Sequence, residues 1–338
     1  RPLGIAGGFL GESDTAMTIE RTAFATAGYR LQTQTPAAAG TLINVATRAF
    51  VGTGDAVMIG GFVVRGPQAK EILIRAAGPG LAAFGVSDAL ADPILRVFSG
   101  GAVLAENDNW STTAAGQLGP AAISAAAVRA GAFPFLSGSA DAAVLVTLPP
   151  GPYTAIVEGV RGTTGAGLVE AYETGAGAAK IVNLATRAFV GRDSREMTGG
   201  FVVQGAAGST KRILIRVLGP TLGRAPFNLG STLDDPEMDL RNAKSDLLLH
   251  NDDWSTDGIG GASPDNDFKP VIELYGEKEI FATGFAPPNR REPCVLVDLP
   301  PGSYTVTVRP FRLLSPDPFI AQSERPGVGL LEVYEIAP

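Results

Sequence analysis

Residues 42–52 read LINVATRAFVG, and residues 181–191 read IVNLATRAFVG, 139 positions further along (181 minus 42). The echo continues. GGFVV stands at 60–64 and 199–203, ILIR at 72–75 and 213–216, and GP begins at Gly78 and at Gly219. NDNWST from Asn107 is answered by NDDWST from Asn251, LPPGPYT from Leu148 by LPPGSYT from Leu299, and GAGLVEAYE from Gly165 by GVGLLEVYE from Gly327. Blocks that keep their order are one fold written twice. The spacing reaches 162 (327 minus 165), so repeat 2 carries 23 more residues between its blocks (162 minus 139). Insertions that spare the blocks belong in surface loops. Three regions follow: an N-terminal arm and linker at 1–40, repeat 1 at 41–178 and repeat 2 at 179–338.

The chain holds 43 Gly and 25 Pro in 338 residues, which interrupts it too often for long helices, while 45% hydrophobic residues suffice for a core. The opening block alternates with period two. Ile43, Val45, Ala49 and Val51 fall on one face and Asn44 and Arg48 on the other; repeat 2 sets Val182, Leu184, Ala188 and Val190 against Asn183 and Arg187. This predicts a half-buried strand in each repeat. FVV, EILIRA, ILRVF, AAVLVTL, YTAIVEGV and GLVEAYE are likewise short, rich in β-branched residues and bounded by Gly or Pro. The expected fold class is therefore all-β, as two tandem β-sandwich domains behind an N-terminal extended arm. Only residues 120–129 read as helix, with Pro at the start and alanines behind it, forming a short crossover at one end of the sandwich. GTGDAVMIGG and GTTGAG lack the Lys-Ser/Thr of a phosphate loop and read as hairpin turns.

In LPPGxYT the Pro-Pro-Gly forces a tight turn, and Tyr153 or Tyr304 then enters a strand from which its phenol reaches back to nearby backbone, as in the tyrosine corner of sandwich folds. Arg75 and Arg216 end apolar strands and are expected to pair with a carboxylate such as Asp92 or Asp235 at a sheet edge. The segments TRAFVG, GGFVV, ILIRAAGP, NDNW and LPPGPYT, spread over residues 41–338, resemble tandem domains that recur in large secreted bacterial surface proteins of mostly unknown function. The resemblance implies a jelly-roll or immunoglobulin-like architecture and an extracellular or cell-surface address. It carries over no catalytic residue.

Oxygen-rich side chains bunch at Asn107, Asp108 and Asn109 before Trp110, and at Asn251, Asp252 and Asp253 before Trp254. Calcium takes six to eight oxygens in irregular geometry, so these two clusters are the candidate metal ligands, with Asp265 and Asp267 as helpers in repeat 2. The competing reading is a turn in which Asn and Asp bond their own backbone, anchored by a buried tryptophan. His250 is the single histidine, and repeat 1 has Glu106 at the matching place (250 minus 144), which argues for a structural role. Cys294 is the single cysteine. It excludes an intrachain disulfide, cannot join one histidine in a zinc site of the usual kind, and reads as a small buried hydrophobe. A net charge of -7 opposes nucleic acid as a partner, and no run of 18 apolar residues is present to span a membrane. The first residue is Arg1 rather than Met, as in a chain released from a signal peptide, and secretion is the expectation.

Two apolar groups have no place in the repeats. Met17, Ile19, Phe24, Tyr29 and Leu31 lie in the arm, and Leu313, Leu314, Phe319 and Ile320 lie in an insertion of repeat 2. An arm this short cannot bury its own apolar residues, whereas sandwich edges offer unpaired N–H and C=O groups. The arm either folds back along its own domains as an added edge strand or lies against a neighbouring copy; the reading taken is the second, a non-enzymatic structural subunit of an extracellular filament or surface assembly, joined to a neighbour by strand addition, with these nine residues as assembly contacts. The alternative is a carbohydrate-binding or adhesive module of a secreted protein, with a glycan as partner.

Overall fold

The structure, a computed structural model, describes residues 41–112, 117–255, 273–311 and 325–336. Repeat 1 supplies β1 (Thr41–Val51), β2 (Met58–Arg65), β3 (Lys70–Ala77), β4 (Pro93–Ser99), β5 (Ala102–Asn107), β6 (Ala142–Leu148), β7 (Gly151–Gly159) and β8 (Gly165–Glu173). After the short β9 (Lys180–Ile181), repeat 2 supplies β10 (Asn183–Val190), β11 (Met197–Gln204), β12 (Lys211–Leu218), β13 (Pro236–Asn242), β14 (Leu247–Asn251), β15 (Glu273–Tyr275), β16 (Cys294–Leu299), β17 (Gly302–Pro310) and β18 (Gly327–Glu335). Two α-helices, α1 (Pro120–Ala130) and α2 (Glu277–Ala282), and five short 3-10 turns complete the described elements. The fold is all-β, and every pairing between these strands is antiparallel.

The strands form two long ladders. One runs β6-β3-β8-β1-β11-β17-β13-β14. The other runs β15-β16-β12-β18-β10-β2-β7-β4-β5. A single pairing, Phe50 opposite Phe189, ties them into one continuous sheet. Each ladder draws on both repeats. The boundary at 178/179 separates two copies of the strand order, but the ladders run across it: β1 lies between β8 of its own repeat and β11 of the other, and β10 lies between β18 and β2.

Equivalent residues meet where the repeats join. Thr47 and Thr186, both fully buried, hydrogen-bond through their hydroxyls at 2.8 Å. The rings of Phe50 and Phe189 meet edge to face at 5.8 Å. Both pairs are 139 residues apart (186 minus 47, 189 minus 50), and contact between like residues is what a two-fold axis produces. The ends of the exchanged strands are held reciprocally. Glu173 accepts the backbone N–H of Ile181 at 2.7 Å and pairs with Lys70; Glu335 accepts the N–H of Leu42 at 3.2 Å and pairs with Lys211. Leu42 and Ile181 are equivalent residues, so the closing strand of each repeat caps the opening strand of the other.

Apolar sides from both ladders feed one core that runs from Leu42 to Val333. A fully buried Val, Leu or Ile contributes about 1.5–3 kcal/mol, and Ile72, Ile74, Ile213 and Ile215 are all in this class. The first glycine of each GGFVV block is explained by the opposite ladder. A Cβ on Gly199 would stand 2.5 Å from Leu331, and one on Gly60 would stand 3.4 Å from Val169.

Several local expectations change. The opening strand of repeat 2 is not half-buried: Asn183 and Arg187 are buried and Val182 is partly exposed, because the other face of β10 is covered by a cluster that includes Leu222, Phe227 and Leu229. In repeat 1 a bulge at Asn44, with φ of 55°, breaks the alternation and places Leu42 in the core. The glycine-rich segments before β2 and β8 are not hairpin turns, since β1 with β2, and β7 with β8, lie in different ladders. The helix α1 starts at Pro120 as expected and closes on Gly131 in the left-handed region, yet it is not at an end: Ile123, Ala126 and Ala127 lie over Leu73, Ala143 and Leu145, on the back of β3 and β6. That cover is why ILI is apolar at consecutive positions.

Candidate functional site

The two tyrosines turn back as expected, Tyr153 donating to the Pro149 carbonyl and Tyr304 to that of Pro300, both at 2.7 Å. The two arginines do not pair with Asp92 or Asp235. Arg75 lies 3.2 Å from Glu170, and Arg216 donates to Glu332 at 2.5 Å, because β8 and β18 place these glutamates directly opposite in register. Each guanidinium also donates to a carbonyl, of Phe133 or Phe285, and each glutamate accepts a tyrosine hydroxyl, of Tyr172 or Tyr334. The pairs differ in quality. Nε of Arg75 is not aligned for a hydrogen bond to Glu170 and the cation stacks 3.9 Å from the Phe135 ring, whereas Arg216 is hydrogen-bonded in line to a fully buried carboxylate. Burial alone would lower the Arg216 pKa, but Glu332 more than offsets it; burial raises the Glu170 pKa despite Arg75. These are structural clamps.

The candidate metal residues divide. Asn107 accepts the N–H of Ala143 and donates to the carbonyls of Asn109 and Thr112; Asn251 accepts the N–H of Cys294 and donates to the carbonyl of Asp253. Both amide oxygens thus hold backbone, on turns anchored by the buried Trp110 and Trp254. Asp252 accepts the N–H of Asp253, Asn109 contributes its carbonyl, and Asp108 is exposed. Asp265 and Asp267 lie outside the described residues, as do all nine assembly candidates. Among the described residues, no three His, Cys, Asp or Glu side chains are placed to share a metal ion.

Two buried carboxylates escaped the sequence reading. Asp141 accepts the N–H groups of Gly78 and Gly80 together with the Ser139 hydroxyl, and Glu292 accepts those of Gly219 and Thr221 with the Thr221 hydroxyl. They occupy equivalent positions (292 minus 141 equals 299 minus 148) and tie down the turn after each ILIR strand. Burial raises the Glu292 pKa against these hydrogen bonds. Cys294, next to this site, is fully enclosed, and burial pushes its thiol up to about 12.

On the β5-β4-β7 face, Arg96 bridges Glu106 and Glu158. On the matching β14-β13-β17 face, Asp239 is held by His250 at 2.8 Å and by Arg309 at 3.1 Å. Every charge is inverted between equivalent residues, with His250 standing for Glu106. Burial works against ionising Asp239, yet His250 and Arg309 hold its carboxyl well below the usual range, and the bond to Asp239 raises the His250 pKa.

Beside the repeat 1 triad lies a cleft of about 410 Å³. Its walls are the β1–β2 segment at Gly52, Thr53 and Gly54, Ile94 and Arg96 of β4, Asp108 after β5, and the β7–β8 segment from Glu158 to Gly162. A Cβ on Gly159 would stand 1.9 Å from the Thr163 carbonyl oxygen, and Arg161 adopts φ of 56°, so this wall is a fixed bare-backbone turn carrying one cation. Arg161 and Asp108 make no hydrogen bond or ion pair among the described residues. Repeat 2 is built differently here. Arg192 replaces Thr53 (192 minus 139), and its guanidinium reaches the Pro310 carbonyl and Glu237, whose equivalents Gly159 and Ile94 line the repeat 1 cleft. Comparison with models of known protein families gave no match, nor did comparison with curated proteins.

Proposed function

We propose that this chain is a non-enzymatic structural subunit of an extracellular filament or surface assembly, joined through its N-terminal arm by strand addition to a neighbour. The two ladders are then the layers of two merged β-sandwiches of jelly-roll or immunoglobulin-like kind. The observation that carries the reading is β5. It ends its ladder with β4 as its strand partner among the described residues, and presents Val103 and Leu104, 53% and 47% exposed, along that edge. The Gln117 side chain caps the Glu106 carbonyl at one end, and the apolar part of the edge is a template for an incoming strand. The non-enzymatic part is supported by the use made of the groups that do chemistry elsewhere: His250 is bonded to Asp239, Cys294 is enclosed, and Asp141 and Glu292 hold backbone amides. Among the described residues no helix is long and apolar enough to cross a membrane. Electron microscopy of the full chain beside a chain lacking residues 1–38 tests the proposal. Regular polymers are expected from the first and separate folded particles from the second; a monodisperse full-length monomer at high concentration overturns it.

A second reading, a carbohydrate-binding or adhesive module of a secreted protein, is favoured by the cleft of repeat 1 with Arg161 and Asp108, which have no ion-pair partner among the described residues.

A further inference from the structure

We infer that the cleft of repeat 1 is a binding site for a small polyhydroxylated ligand, a mono- or disaccharide, and that Thr53 is the wall residue that keeps it open. The inference rests on the carbohydrate reading and is independent of polymer formation.

The volume decides the size class. Sites for small molecules span about 300–1,000 Å³, and the cleft, at about 410 Å³, takes one or two sugar rings. Its chemistry decides the ligand class. Two carboxylates, Asp108 and Glu158, face it together with two guanidinium groups, Arg96 and Arg161. A simple anion meets the first pair and a simple cation meets the second. A hydroxyl group donates to a carboxylate and accepts from a guanidinium, so a ring bearing several hydroxyls satisfies both. Ile94, Val57 and Val160 supply a small apolar surface for the C–H face of such a ring. An apolar ligand finds little else to contact.

The site is also prepared. Arg96 is held between Glu106 and Glu158, which sets the positions of one donor and one acceptor. The Val160 amide bonds the Asp92 carbonyl at 2.8 Å and the Thr163 hydroxyl bonds the Val160 carbonyl at 3.0 Å, fixing the turn that displays Arg161. Groups fixed in advance lose little freedom on binding. In repeat 2 Arg192, in place of Thr53, reaches the Pro310 carbonyl, and Arg309 and Glu237 replace Glu158 and Ile94. An arginine at position 53 would therefore cross the repeat 1 cleft in the same direction.

The test is saturation-transfer NMR on the full chain with N-acetylglucosamine, galactose and maltose, and separately with the zwitterions glycine and lysine. Expected is signal from at least one sugar, abolished in Thr53→Arg, which copies repeat 2, and weakened about tenfold or more in Asp108→Ala, as for one lost hydrogen bond to a charged group. Both positions are exposed, and the melting temperature is expected to stay unchanged. No signal from any of the three sugars overturns the carbohydrate reading itself. A sugar signal that survives both substitutions keeps that reading and overturns this site, and a Thr53-dependent signal from the zwitterions alone overturns the ligand class.

Discussion

The β5-β4-β7 face of repeat 1 and the β14-β13-β17 face of repeat 2 have one backbone and opposite charges. Glu106, Arg96 and Glu158 stand where His250, Asp239 and Arg309 stand. Inside the repeats nothing of the kind has happened. Both keep an arginine against a glutamate, a carboxylate under the glycine turn, an asparagine bonded to the next strand and a tyrosine folded back on proline. Buried polar groups are costly to leave unpartnered, so all members of such a set must change together or not at all. The Arg96 pairs are part-exposed and contribute little, and the buried Asp239 keeps basic partners, so the charges invert while each triad stays internally complementary.

The largest effect is expected where the two regions are one. Thr47→Asp and Thr186→Asp each bury an unpaired charge at the junction, and each should cost more than about 4 kcal/mol. Both Trp110 and Trp254 fluorescence should then report a single unfolding transition displaced by the same amount. A Thr47→Asp protein in which the Trp254 transition is unmoved would mean that the repeats are stable separately. Next come the clamps. Removal of one partner from a buried ion pair costs about 3–5 kcal/mol, and Arg216→Ala should exceed Arg75→Ala in urea denaturation, because Glu332 loses an aligned bond at 2.5 Å while Glu170 loses an unaligned one. Equal losses would show that alignment does not matter here.

The smallest effect is the pH response of the repeat 2 triad. The folded pKa of His250 is raised, so its pairing adds stability that is complete below the ordinary value of 6.5 and is lost as pH rises through the higher folded value. Asp239 is held low and stays ionised throughout that window. Asp235, raised by burial to about 6, loses its own contribution over a lower range, from the ordinary carboxylate value up to about 6. The difference between the wild type and His250→Gln should therefore shrink from neutral to mildly alkaline pH by under about 1 kcal/mol, and thermal melts across that range measure it.

Much of the strand order was legible because period-two alternation and Gly or Pro punctuation are local signals. The tyrosine corners were legible because Pro-Pro-Gly leaves few conformations. The exchange of β1 and β10 was not, since alternation in residues 45–51 is the same whichever repeat lies alongside. The partners of Arg75 and Arg216 had a signal that went unused: Glu-x-Tyr occurs at 170–172 and at 332–334, and a glutamate kept inside an apolar strand twice needs a buried cation. The cleft lay beyond reach. Thr53 against Arg192 is a visible difference, but its meaning depends on which turns face it, and β7 and β8 lie in different ladders.

The hydroxyl contact between Thr47 and Thr186 has one more consequence. In a pair of identical molecules related by a two-fold axis, any substitution appears at both ends at once, so both ends must accept it. Once a single gene encodes both halves, only the seam stays under that obligation. The remote ends are free to diverge separately, as Arg192 in place of Thr53 and His250 in place of Glu106 record.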